Sequence, residues 1–302
     1  MAALPCVSVV IPTYGHETFI LQTLESVFAQ TYTDYEVIVV NDGSPDATKE
    51  VLHELAASGK ICYREQANQG QAAARNHGIS RAQGRFLALL DDDDLWPPDK
   101  LARQVELLEQ HRDVAVVYGT VVAIDDAGKP IPNSPIAPCT VPVTYESLLK
   151  NNTIVSPGQC LIRRSLLPQN RPFDTSLWGC DDWDLWLCLA QNHPFLLENK
   201  PALYYRLHDQ NASKDLVRMD INVLRLYRKH LRLQTNQQHQ QLLARYYHDF
   251  QASHSRYWLK QSWQALRAGK VKQFWYAARF LKHAHLLRVA GDFVGRRLKR
   301  KP

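Results

Sequence analysis

Apolar positions in the first 120 residues alternate between two textures. Continuous, largely β-branched runs at 7–11 and 37–40, and the run 86–90, have the composition of strands buried on both faces. Between the first two, Ile20, Leu24, Val27 and Phe28 recur at the spacing of one helical face, which predicts a helix within 17–30. Asp46 can cap a second helix with Val51, Leu52 and Leu55 inside and Gly59 as its stop. A short strand over 61–63, a helix over 72–82 ending near Gly84, and a helix from Pro97-Pro98 to about His111 complete the first half.

This β-α-β-α order predicts an α/β fold, a mostly parallel sheet flanked by helices. Ligands in such sheets sit beyond the carboxyl ends of the strands. That rule gathers Thr13-Tyr14, Asn41-Asp42-Gly43 and the aspartates at 91–94 on one rim. Strands at 114–118 and 120–124 come next, then a turn at 126–128. Pro130, Pro132, Pro135, Pro138 and Pro142 mark an extended surface loop. A second unit offers a short helix at 145–150, a strand at 160–163, a helix at 183–191 and a strand at 202–206. From about Ser213 the texture is helical, basic and aromatic, interrupted at Gly269.

Composition changes this picture in one respect. The chain has 302 residues, 45% of them hydrophobic and 22% charged, as an ordinary globular protein does. Its net charge of +6 hides an asymmetry: residues 213–302 hold 20 Lys and Arg against 4 Asp and Glu, leaving 16 against 26 in 1–212. Two parts with different partners are therefore expected, 1–212 (halves 1–125 and 126–212) and a basic helical extension, 213–302. The six cysteines show no metal-site spacing and read as reduced thiols. No apolar run approaches the roughly 20 residues that span a bilayer, and residues 1–5 lack the features of a signal peptide. A cytoplasmic address follows, extending to the cytoplasmic face of the membrane.

The chemistry concentrates at Asp91-Asp92-Asp93-Asp94. Four carboxylates at a strand exit repel one another, and a hard divalent cation such as Mg²⁺ or Mn²⁺ would compensate them. Alone, the run reads equally well as a solvated acidic turn with one Asp capping the next helix. An EF-hand is a poor fit, since neither its glycine nor its closing glutamate follows.

The order of motifs resolves that choice. Val9-Val10-Ile11-Pro12-Thr13-Tyr14 opens the chain and Val39-Val40-Asn41-Asp42-Gly43-Ser44 closes the second strand. Asn68-Gln69-Gly70 leads to Ala74-Arg75-Asn76, and Leu95-Trp96 follows the aspartates. Over about residues 5–210 this series resembles the inverting family 2 glycosyltransferases of the GT-A type, a Rossmann-like fold that uses nucleotide-diphosphate sugars. The resemblance implies that Pro12, Thr13, Tyr14 and Glu17 line the nucleotide pocket. It gives Asp42 a hydrogen bond from the base, and sets Arg75 against the base or diphosphate. Asp91 and Asp93 become the D-x-D carboxylates, with Asp93 the metal ligand and Asp91 or Asp92 near the ribose. Leu177-Trp178-Gly179-Cys180-Asp181-Asp182-Trp183 matches the acidic helix start, which makes Asp182 the base. In Tyr204-Tyr205-Arg206-Leu207-His208, His208 would complete the metal or diphosphate site. Departures are Gly15 for Asn, Asn41 and Asp181 for Asp and Glu, Asp92 for a small residue and Cys188 for Arg. Asp92 unsettles the ligand assignment within 91–94, and Cys188 leaves the acceptor contacts open.

The implied function is transfer of a sugar, with a uridine-linked donor and a Mn²⁺ or Mg²⁺ cofactor, to a glycan or lipid-linked acceptor in cell-surface glycan synthesis. A nicotinamide-dependent oxidoreductase would need G-x-G-x-x-G after the first strand, where Pro12-Thr13-Tyr14-Gly15 stands instead. A non-enzymatic nucleic-acid- or sugar-binding protein led by the basic tail is the remaining alternative. It lacks a nucleic-acid motif, and the acidic front half would repel a polyanion, so no specific nucleic acid is expected. Residues 271–301 mix Phe274, Trp275, Phe280, Leu286, Leu287 and Phe293 with Lys and Arg, the pattern of helices lying on an anionic membrane surface.

Overall fold

The computed structural model describes residues 4–134, 136, 139, 141–169, 171–209, 211 and 214–284. They fall into two compact units, one built from the chain to Ser176 with Asp181–Asn211, the other from Leu177–Cys180 with the segment after Asn211.

The first unit runs β1 (Val7–Thr13), α1 (Ile20–Phe28), β2 (Tyr35–Asn41), α2 (Thr48–Ala57), β3 (Cys62–Glu65), α3 (Gln71–Ile79), β4 (Phe86–Leu89) and α4 (Lys100–Gln110). It continues through β5 (Val116–Ile124), α5 (Tyr145–Lys150), β6 (Cys160–Arg163), α6 (Asp181–Ala190) and β7 (Phe195–Arg206). The seven strands lie in the order β3-β2-β1-β4-β6-β5-β7. All pairings are parallel except those of β6, which is antiparallel to β4 and to β5. The chain turns outward to β2 on one side of β1 and to β4 on the other, so the crevice for a ligand opens at their carboxyl ends.

Val7, Val9, Val10 and Ile11 are fully buried, as are Ile38, Val39 and Val40 opposite them. Each such side chain contributes about 1.5–3 kcal/mol on leaving water. Pro12 stands in this central strand although proline has no ladder donor. Val10 turns its carbonyl to the β4 side, accepting the Leu90 amide, and Thr13 turns its own to the β2 side, accepting the Asp42 amide. By alternation Pro12 faces the β4 side, and the β1–β4 register ends at Val10–Leu89. The missing N–H therefore costs no pairing.

Two expectations shift. The runs at 114–118 and 120–124 form one strand, β5, with register shifts around Gly119 where it meets β7. A Cβ at Gly119 would lie 2.5 Å from the Ala202 Cβ and 2.6 Å from the Lys200 carbonyl, so bare backbone is what lets β7 approach. Helix α4 starts at Lys100 rather than Pro97, because the Pro97 and Pro98 carbonyls are taken by the Gln30 amide (2.7 Å) and the Thr31 N–H (2.8 Å). None of the six cysteines forms a disulfide.

The second unit contains α7 (Leu216–Leu233), α8 (Gln237–Arg267) and α9 (Val271–His283). Asp215 caps α7 by accepting the Arg218 N–H, and Asn236 caps α8 by accepting that of His239. Gly269, at φ +67°, turns α8 into α9. Val217, Ile221, Leu224, Trp258, Phe280 and Leu281 share an apolar core, and the Trp258 indole donates to Asp220 at 2.7 Å. The segment Leu177–Cys180 belongs here: the Arg218 guanidinium stacks 3.8 Å from the Trp178 ring centroid. Among the described residues, no helix is long and apolar enough to cross a membrane. Residues 285–302, including Leu286, Leu287 and Phe293, lie outside the described residues.

Candidate active site

The carboxyl ends of β1, β2 and β4 carry the polar groups singled out from the sequence. At β2, Asp42 is buried and accepts three hydrogen bonds, from the Gln66 amide (2.8 Å) and the main-chain N–H groups of Gln69 (2.9 Å) and Gly70 (2.7 Å). It thus holds the loop that feeds α3. Gly43, at φ +73°, follows because a Cβ there would meet the Asn68 nitrogen at 3.0 Å. Glu17 sits beside this loop, its carboxylate accepting the Ala47 N–H at 2.6 Å. Tyr14, 47% exposed, is the open aromatic ring at the tip of β1.

Three of the four aspartates meet a basic side chain of this chain. Asp91 accepts from the Arg75 guanidinium (2.6 Å) and the Gln71 amide (2.9 Å). Asp92 accepts from the Tyr14 N–H (3.1 Å) and pairs with His16 Nδ1 (2.8 Å). Asp93 faces His208 Nε2 at 2.8 Å. Asp94 is buried and takes the Arg206 N–H at 2.9 Å, while its other oxygen has no partner. Burial, with the charges of Asp93 and Asp91, raises the Asp94 carboxyl well above the ordinary range and favours its neutral form. The hydrogen bond to Asp92 lifts the His16 imidazole to about 9 against the effect of burial, while burial raises the Asp92 carboxyl. Arg75 and His16 thus answer part of the mutual repulsion in the run, and repulsion alone does not demand a metal.

Arg206, fully buried at the end of β7, locks the turn from behind. Its guanidinium donates to the carbonyls of Asp93 (2.7 Å), Asp125 (3.1 Å) and Asp126 (2.5 Å) and to Gln22 (3.0 Å). The Thr23 hydroxyl lies 3.0 Å from the Asp92 carbonyl and 2.9 Å from that of Asp94.

Across the crevice, Asp181 and Asp182 open α6. Burial and the neighbouring Asp181 charge push the Asp182 carboxyl up to about 7, against the pull of Arg75. Asp182 accepts the Trp183 N–H at 2.6 Å, and the Asn152 amide lies 3.4 Å away. Arg75 joins the two sides: almost wholly buried on α3, it reaches Asp91 at 2.6 Å and Asp181 at 3.0 Å. Against burial, those two charges hold its guanidinium above the ordinary value. The ring of buried Phe173 lies 5.4 Å from the guanidinium carbon, and Asn76 fixes the Phe173 backbone through both its N–H (3.0 Å) and its carbonyl (2.7 Å).

His16, Asp93 and His208 have ligand atoms within 4.8 Å of one another. The Asp93 oxygen facing the His208 imidazole nitrogen fits a divalent cation of intermediate hardness, while His16 is engaged by Asp92. Of the residues singled out from the sequence, Thr13, Tyr14, Asp42, Asp91, Asp92, Asp93 and His208 stand at or just beyond strand exits, Asp182 stands at the start of α6, and Arg75 reaches Asp91 from the middle of α3. Pro12 lies within the sheet, and Glu17 is engaged with its neighbouring loop. His16, Asp181, Asp94 and Arg206 were not assigned roles from the sequence. Arg206 and Asp181 lay inside quoted motifs, whereas His16 carried no signal beyond its place two residues after Tyr14.

This mostly parallel sheet flanked by helices, with an acidic turn after β4, is that of the GT-A glycosyltransferases. Residues 8–170 match the model for Glycosyl transferase family 2, and the chain belongs to that family. The UDP-Glc:alpha-D-GlcNAc-diphosphoundecaprenol beta-1,3-glucosyltransferase WfgD of Escherichia coli is 32% identical over 213 residues, 69% of this chain and 80% of that protein. Among solved structures, Staphylococcus aureus TarS 1-349 in complex with UDP-GlcNAc superposes with a TM-score of 0.57 at 18% identity, covering 92% and 91% of the two chains. The mannosyltransferase PcManGT of Pyrobaculum calidifontis, with GDP-Man and Mn²⁺, gives 0.61 at 19% identity over 93% and 86%. The match covers only 31% to 66% of the length of several uncharacterized glycosyltransferases from Rickettsia.

Proposed function

We propose that this protein transfers a sugar from a uridine-diphosphate donor to the hydroxyl of a lipid-linked or polymeric glycan acceptor, with inversion, in cell-surface glycan synthesis. The observation that carries the reading is Asp182, a carboxyl raised to about 7 at the start of α6. It is coupled through Asp181 and Arg75 to Asp91 at the exit of β4. A base poised near neutrality opposite a donor turn is what displacement by a hydroxyl requires. The relative WfgD, whose name specifies a UDP-glucose donor and a diphosphoundecaprenol-linked acceptor, supports both substrate classes.

Tyr14 and Asp42 would bound the base, and Asp91 or Asp92 the ribose. The acceptor oxygen attacks the anomeric carbon as Asp182 takes its proton. The bond from that carbon to the diphosphate oxygen breaks on the opposite face, and its electron pair leaves with the nucleoside diphosphate. Arg75 presents the fixed positive charge nearest both carboxylate groups, preorganised by burial and by the Asn76–Phe173 brace. Asp93 and His208 would hold a divalent cation, which when bound supplies charge neutralisation to the diphosphate. The imidazole in that set favours Mn²⁺ over Mg²⁺, as does the Mn²⁺ complex of the structural neighbour PcManGT.

Calorimetric titration of UDP, GDP and dTDP with and without Mn²⁺ tests the donor half. UDP should bind best, with at least a tenfold gain from Mn²⁺ that Asp93→Ala removes. Asp182→Asn should bind UDP like the parent and lose transfer. Equal or absent binding of all three nucleotides would overturn the donor assignment, and an active Asp182→Asn the base.

A further inference from the structure

The corner where α8 turns into α9 is built unlike the rest of the helical unit. Trp263 and Leu266 near the end of α8, and Val271 and Trp275 at the start of α9, are between 49% and 65% exposed. They are not strays from the core. The inner faces of these helices already bury Trp258, Ala277, Phe280 and Leu281 against α7, so the four belong to a second, outward face. Spacing of i, i+3 and i, i+4 makes each pair a stripe on its helix. Only Ala268, Gly269 and Lys270 separate the two helices.

The charges beside these stripes have one sign. Residues 250–284 carry seven Lys and Arg and no Asp or Glu. Lys260, Arg267, Lys270 and Lys272 are all exposed and lie within three residues of the apolar four. A soluble helix face normally mixes signs. Large apolar side chains flanked by an unbroken basic field, on helices not long and apolar enough to cross a bilayer, have the composition of helices that lie in a lipid interface. Tryptophan favours the headgroup level, aliphatic side chains the acyl boundary, and Lys and Arg the anionic headgroups. Nucleic acid would match the charge and the tryptophans but gains nothing from Leu266 and Val271, which offer neither a ring nor a hydrogen bond.

We infer that the α8–α9 corner is a membrane-docking surface for anionic phospholipid, formed by Trp263, Leu266, Val271 and Trp275 within the Lys260–Lys272 basic field. It requires no insertion across the bilayer. It stands independently of the transfer reaction, because lipid binding is read without donor or acceptor.

The test is flotation of the full chain with vesicles of phosphatidylcholine alone or with 30% phosphatidylglycerol. Binding should be at least tenfold stronger to the anionic vesicles and should fall at least tenfold in 0.5 M salt. Trp263→Ser with Trp275→Ser should weaken it at least tenfold. So should Lys260→Glu, Arg267→Glu, Lys270→Glu and Lys272→Glu together, with helix content by circular dichroism unchanged in both variants. Several outcomes overturn the proposal: no vesicle binding, equal binding to neutral vesicles, or variants that bind like the parent because residues 285–302 carry the affinity. A lipid-free dimer that the tryptophan variant dissociates, without lipid binding by the parent, would make the corner an interface between copies instead.

Discussion

Asp182 owes its basicity to what surrounds it. Burial raises its carboxyl, the Asp181 charge raises it further, and Arg75 opposes both. Only the ionised form can accept a proton, so kcat/KM should rise about tenfold per pH unit up to about 7 and level off above. Asp181→Asn removes a neighbouring negative charge and loosens the claim of Asp181 on Arg75. Both changes favour ionised Asp182, and the inflection should move to lower pH. Asp182→Asn should flatten the profile and cost on the order of 10²–10⁴ in rate. An inflection that stays put in Asp181→Asn would mean that another group titrates. The places of Asp42, Asp91 and Asp93 at strand exits are legible in the hydrophobic pattern, whereas the roles given to them and to Asp182 come from the order of the family's motifs. The pairings are not legible. Asp92 meets His16 across 76 residues and Arg75 meets Asp181 across 106, and no local spacing encodes which cation closes on which carboxylate. Repulsion among four aspartates suggested a metal; Arg75 and His16 answer part of it.

At the scale of elements, α3 matters most, since it carries Arg75 and Asn76 from the sheet to the crevice. It approaches β1 and β2 through Gly78, where a Cβ would fall 2.4 Å from the Val10 Cγ1 and 3.3 Å from the Val40 Cγ2. Alanine would gain about 1 kcal/mol in helix propensity. It would also force two stiff, fully buried valines aside, at about 1–3 kcal/mol. The clash should win. Gly78→Ala should lower the urea midpoint, with Ser80→Ala at the exposed end of α3 as the neutral control, and should slow transfer by lifting Arg75. A midpoint equal to or above the parent's would mean that the sheet yields more readily than its packing implies. Strands β1 and β2 were legible because continuous β-branched runs fit only a doubly covered sheet, and α5 and β6 because each is a short pattern between strong breakers. Three features were not. Reversed β6 between β4 and β5 depends on long-range pairing, the unity of β5 depends on Gly119 lying against Ala202, and the delayed start of α4 depends on Gln30 reaching the Pro97 carbonyl and the Leu101 N–H.

At the scale of the whole molecule, two cores divide the chain, and every group proposed to touch the donor lies in the sheet unit. A ligand that binds only the folded form stabilises what it binds by RT ln(1 + [L]/Kd), about 2.7 kcal/mol at a hundredfold excess over Kd. That free energy enters the unfolding of the sheet unit directly. It reaches the helices only if the units unfold together. Leu177–Cys180 packs with the helices, Trp178 under Arg218 and Gly179 against Met219. The expected outcome is asymmetric. Hydrogen exchange with saturating UDP and Mn²⁺ should slow amides of β1, β2 and β4 by up to about a hundredfold while leaving those of α7 and α8 near their unliganded rates. Equal protection of both sets would mean a single cooperative unit. Protection confined to the helices would remove the donor from the sheet, and with it the assignment of the β1, β2 and β4 ends as the nucleotide site.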